Sequence, residues 1–95
     1  MAYIEICDWA KFQHYKHRNP PWIKLYVSFL DDDDFDALPD ESKLLFFCIL
    51  AFASRRKNKV RLDYHWLGKK LPIHSVVTRE TLQPLVDARF VEVIA

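Results

Sequence analysis

Ninety-five residues, 51% of them apolar and 28% charged, suffice for one globular domain whose modest core needs neither disulfides nor metal. A single glycine excludes a glycine-rich phosphate loop, whose backbone must approach phosphate with no Cβ in the way, and argues against a turn-rich all-β fold. The net charge of +1 points to no partner by itself, but the charges are segregated: "DDDDFDALPDE" (31–41) holds no base, while "RRKNKVRLDYHWLGKK" (55–70) holds seven bases against Asp63 alone.

Taken in chain order, "AYIEIC" places Ile4 and Ile6 on alternate positions, a short strand signal. In "DWAKFQHYKH", Trp9, Phe12 and Tyr15 recur every three residues, as on one side of a helical turn. "RNPPW" breaks that segment, because each proline drives the residue before it out of helical angles. "WIKLYVSF" alternates as in a strand, while Trp22, Tyr26 and Phe29 match a helix begun by Asn19 and the prolines; we favour a short strand, Ile23–Val27, passing into a helical turn over Ser28–Leu38. "RNPPWIKLY" is then an architectural junction packing Trp22 on the central helix, with Lys11, Lys16, Arg18 and Lys24 available for phosphate contacts.

The clearest helix begins near Asp40 and ends before "KNK"; apolar all round from Leu44 to Ala53, it is expected to be the buried central helix. That apolar run is about half the ~20 residues a spanning helix needs, so no membrane segment is expected. A strand follows around Val60–Leu62, and Asp63 reads as the N-cap of "YHWLGKKL", with Leu67 and Leu71 one turn apart. "PIHSVV" is a turn. The next helix, "TRETLQPLVDARF", turns Leu82, Leu85 and Val86 inward; Pro84 requires either a late start at Thr81 or a kink. "FVEVIA" is a strand expected to be at least half buried.

Helix, short strand, helix, turn, helix, strand is the order of a winged helix-turn-helix, mainly α with short β strands. In that arrangement the short strand pairs with the first strand of the wing. The wing is therefore expected to be truncated at Ala95, with a lone terminal strand whose edge is open. The expected organisation is one domain over 1–95, a 1–38 extension packed on a 39–95 core, forming the N-terminal module of a longer protein.

Several stretches carry a resemblance. "DWAKFQHYKHRNPPWIKLY" followed by "LDDDDFDALPDESKLLFFCILAFAS", with "WLGKKL" and "LQPLVDARFVEV" behind them, resembles the N-terminal winged-helix domain of phage and prophage replication proteins of the replisome-organiser or replication-initiation, helicase-loader type. The resemblance implies binding of double-stranded DNA at an origin, contact with helicase or helicase-loading proteins, and location in the cytoplasm of a bacterial host. It implies no catalysis and no cofactor. Arg89 departs from the pattern, standing where glycine is more usual before the wing, and implies a less tightly turned backbone there.

In such a fold the exposed face of the last helix reads base edges, here Arg79, Gln83 and Asp87, while Ser75 and Thr78 bind phosphate or cap the helix. The stronger electrostatic candidates are Arg55, Arg56, Lys57, Lys59 and Arg61, together with Lys69 and Lys70, placed to line a phosphate backbone. A protein-interaction or oligomerisation module and a transcription regulator of the same fold remain as alternatives, the first because an acidic run and near-neutral net charge suit self-association.

Cys7, His14 and His17, with His65 or His74 as a fourth ligand, lack the paired spacing of a zinc site, so no metal is expected. Four consecutive aspartates splay in different directions and do not make a Mg²⁺ site. Two cysteines with no disulfide pattern fit a reducing cytoplasm.

Overall fold

The computed structural model describes residues 2–9, 27–71 and 77–95. Among these residues the fold is mixed, with four α-helices, a 3-10 turn and a small antiparallel sheet. In chain order these are β1 (Tyr3–Ile6), a 3-10 turn (Val27–Asp31), α1 (Asp33–Asp36), α2 (Asp40–Ala53), β2 (Val60–Arg61), α3 (Tyr64–Lys70), α4 (Arg79–Asp87) and β3 (Val91–Ile94).

The sheet order is β2-β1-β3, which overturns direct pairing of the short strand with the terminal one. β1 lies between them, Tyr3 opposite both Arg61 and Ile94, and Ile4 opposite both Val60 and Val93. The terminal strand therefore has a partner along one edge. Alternation within β1 explains the placement: Ile4 and Ile6 are buried under the helices, while Tyr3 and Glu5 face outward. β3 is less buried than expected. Val91 is covered, but Val93 shares its face and is 41% exposed, so the helical cover ends between them.

Helix α2 supplies Leu45, Phe46, Ile49, Leu50 and Ala53 to the core, where they meet Ile4, Ile6, Val60 and Val91 of the sheet. Leu67 and Leu71 of the α3 region, with Phe35, Leu38, Val77, Leu82 and Leu85, belong to the same buried cluster. The expectation that α2 is buried all round is corrected: Leu44, Phe47 and Ala51, spaced three and four apart, form an exposed apolar stripe. A uniformly apolar helix still has one side facing away from a single sheet.

Ser42 is the buried polar residue of the core, and its Oγ donates to the Thr81 carbonyl at 2.8 Å, fixing the start of α4 against the start of α2. Thr78 caps α4 reciprocally with Thr81, each hydroxyl taking the other's backbone N–H. The helix thus starts early at Arg79, and Pro84 falls at the sixth helical position, where it forgoes the bond to the Glu80 carbonyl. Arg89 also corrects expectation. It takes the left-handed conformation (φ 63) that favours glycine, and Phe90 N–H reaches back to the Leu85 carbonyl at 2.9 Å, so the turn is tight without glycine.

The expected helical turn over Ser28–Leu38 is present as the 3-10 turn and α1, with Asp32 capping α1 through the Phe35 N–H. Val27, expected to end a strand, opens the 3-10 turn. The "RNPPWIKLY" junction through Tyr26, Lys11, Lys16, the turn containing Ser75, and His14, His17 and His74 lie outside the described residues. Among the described residues, no helix is long and apolar enough to cross a membrane.

Candidate nucleic-acid interface

The basic turn follows directly from the end of α2. Arg56 and Asn58 N–H both donate to the Ala53 carbonyl at 3.0 Å, and Lys57 and Asn58 take left-handed conformations (φ 54 and 57). With no glycine available, asparagine is the residue best suited to this geometry, and Lys57 bears a cost of about 1 kcal/mol. The Asn58 amide then joins the turn to the sheet. Its Oδ1 accepts from Ile6 N–H at 2.7 Å and its Nδ2 donates to the Ile6 carbonyl at 3.1 Å, standing in for a strand residue beyond the end of β2.

Arg55, Arg56, Lys57, Lys59 and Arg61 are all exposed on this support. Three of them lie over aromatic rings. The Arg56 guanidinium sits 4.9 Å from the Phe52 ring and 5.5 Å from that of Trp66; Arg61 sits 5.7 Å from Trp66; Lys59 Nζ lies 5.2 Å from Tyr3. Phe52 and Trp66 themselves meet at 5.7 Å. Such contacts contribute about 0.5–1 kcal/mol each at exposed sites and, more usefully here, restrict long side chains.

Asp63 completes the arrangement in two ways. One carboxylate oxygen accepts from Trp66 N–H at 3.0 Å, starting α3 as the sequence predicts, and the other meets Arg61 at 3.3 Å. Among the described residues this is the sole ion pair involving the five cations. Lys69 and Lys70 are exposed in the last turn of α3, three and four residues beyond Trp66 and hence on its side of the helix.

The structure does not bring all predicted DNA contacts together. The Ser42–Thr81 bond holds α4 at the start of α2, while the basic turn begins at Ser54, twelve residues and about 18 Å along the helix. Arg79 and Gln83 are exposed at that far end, Gln83 already donating to Asp87 at 2.8 Å and Arg79 next in sequence to Glu80. Thr78 acts as a cap, so its hydroxyl is engaged within the helix.

Phe52, Trp66, Tyr3 and Asn58 were not legible as site residues. The available signal was "KNK", an asparagine after a helix end where a left-handed residue is needed. Tyr3 and Trp66 come to the turn only through sheet pairing and the docking of α3.

Elsewhere, Cys7, Asp8, Asp32 and Arg89 rim a cleft of roughly 130 Å³ floored by Phe29, Phe46 and Phe90. Burial, and then the Glu92 and Asp8 carboxylates, raise the Cys7 thiol above its ordinary range; burial raises Cys48 likewise. Among the described residues, no three His, Cys, Asp or Glu side chains group as metal ligands. The chain matches no family model, no curated protein and no solved structure.

Proposed function

We propose that this chain is a duplex-DNA-binding module that grips the phosphate backbone with the turn after α2 and the adjoining face of α3, and performs no chemistry of its own. The observation that carries this reading is the set of five exposed cations, one paired with a carboxylate and three of them, Arg56, Lys59 and Arg61, lying over the rings of Tyr3, Phe52 and Trp66. Cations held in place in advance lose less freedom on meeting phosphate, and the affinity they give is electrostatic and insensitive to sequence.

The order α2, β2, α3, α4, β3 supports a winged-helix relationship in which β1 takes the place of the returning wing strand. With the resemblance to phage-type replication initiators, it makes origin binding in a host cytoplasm the favoured setting, with helicase or helicase-loading proteins as partners. Base contacts from Arg79 and Gln83 are secondary in this reading, since Gln83 is occupied by Asp87. Positioning comes from phosphates met by the basic turn, which lies at the end of α2 opposite the Ser42–Thr81 contact.

The test is fluorescence anisotropy of labelled duplex DNA over a salt series. Affinity should fall with salt at about 0.9 per phosphate contact in logarithmic slope, and Arg55→Ala/Arg56→Ala/Lys57→Ala should flatten that slope. Absence of binding at low salt, or an unchanged slope in the triple variant, would remove this face as the DNA site.

A further inference from the structure

The exposed apolar side of α2 has no role in DNA binding. Leu44 is 45% exposed and Phe47 37%, one turn apart, and the Phe47 ring lies 6.3 Å from Phe29, whose neighbour Leu30 is 86% exposed. Isolated exposed apolar residues are ordinary, but Leu44 and Phe47 share one side of α2, and the Phe29–Phe47 contact brings the 3-10 turn that carries Leu30 to it. Close to them in the chain are the exposed carboxylates of Asp31, Asp33, Asp34, Asp40 and Glu41; Lys43 lies 3.7 Å from Asp40, and Arg89 shares a cleft with Phe29 and Asp32. A surface of this composition suits a partner that brings cations together with apolar or aromatic area.

The chain itself carries such a surface. The far end of α2, about 15 Å along the helix from Leu44, presents Arg55, Arg56, Lys57 and Lys59 near the half-buried rings of Phe52 and Trp66. Guanidinium groups lying flat on rings are weakly hydrated and can cover apolar side chains while meeting carboxylates. We infer that a second copy of this chain docks head to tail, its basic turn seated on the Leu30, Leu44 and Phe47 surface and meeting these acids. The two surfaces differ, so the contact closes as a dimer only where both are met reciprocally about a two-fold axis, and otherwise joins copies into a ring or an open chain. DNA and a second copy then compete for one basic turn, and a nucleic-acid partner would release the assembly.

Sedimentation velocity without DNA tests this whether or not the DNA reading holds. The wild-type chain should sediment faster as concentration rises at low salt, and as a monomer at high salt. Asp33→Lys/Asp34→Lys and Arg55→Glu/Lys57→Glu should each weaken association by about tenfold or more. An equimolar mixture of the two variants should associate again, because each retains the surface its partner lacks. Leu44→Ser should weaken association with no change in charge. A wild-type chain that stays monomeric into the millimolar range overturns the inference. So does association indifferent to charge reversal, as β3 edge pairing would give, or a monomer that instead binds a basic amphipathic peptide.

Discussion

Asn58 engages both backbone groups of Ile6, at 2.7 and 3.1 Å, and through them ties the basic turn to the middle strand of the sheet. One side chain thus fixes the end of α2, the start of β2 and the platform for five cations. Asn58→Ala removes both bonds and places alanine at positive φ, so it should cost about 2–3 kcal/mol in urea unfolding. Asn58→Gly keeps the backbone permissive and should cost roughly 1–2 kcal/mol, isolating the amide's share. Both should weaken DNA binding while the variants remain folded.

Arg56 and Arg61 lie 5.5 and 5.7 Å from the Trp66 ring, so under the proposed DNA binding Trp66 would act through them and not by its own contact. Trp66→Ala leaves both charges in place, so the salt slope should stay near the wild-type value while affinity falls several-fold. Arg56→Ala/Arg61→Ala should lower the slope itself, by about 1.8 if both residues meet phosphate. Equal slopes for the two variants in anisotropy titrations would refute the division.

Pro84 sits inside α4 with no N–H for the Glu80 carbonyl. Pro84→Ala restores that donor and should stabilise the domain by about 1–3 kcal/mol, raising the thermal midpoint by roughly 4 °C or more. No change by calorimetry would mean the helix has already relaxed around the proline.

Glu5 and Glu92 face each other across β1 and β3. Like charges directly opposite destabilise a sheet, so Glu92→Lys should gain about 0.2–1 kcal/mol at low salt. The gain should shrink as salt is added, which separates it from a change in strand propensity.

Both thiols titrate above the ordinary cysteine range, Cys7 through burial and then neighbouring carboxylates, Cys48 through burial. Less thiolate is present near neutral pH, so iodoacetamide should modify the folded chain more slowly than the unfolded one. The neutral form is the one the fold favours. This contribution to stability is full below the unfolded thiol pKa and declines as pH rises through the folded value. Equal alkylation rates for the folded and urea-unfolded chain would contradict the raised values.

Local pattern determined much of this domain. The helix from Asp40, the Asp63 cap, the inward set Leu82 and Leu85, and strands at Ile4, Val60 and Val91 all follow from periodicity and capping chemistry within a few residues. The basic cluster was likewise visible, because charge needs no folding to be counted. Only tertiary structure decided what these pieces meet. Strand alternation says that Ile4 is buried but not that β1 separates β2 from β3, since a strand's partner is chosen by long-range pairing. A helix apolar on every side cannot reveal that Leu44 and Phe47 stay exposed; packing against a single sheet makes that choice. The same packing put Arg79 at one end of α2 and the basic turn at the other, and brought Trp66 beneath Arg56 and Arg61.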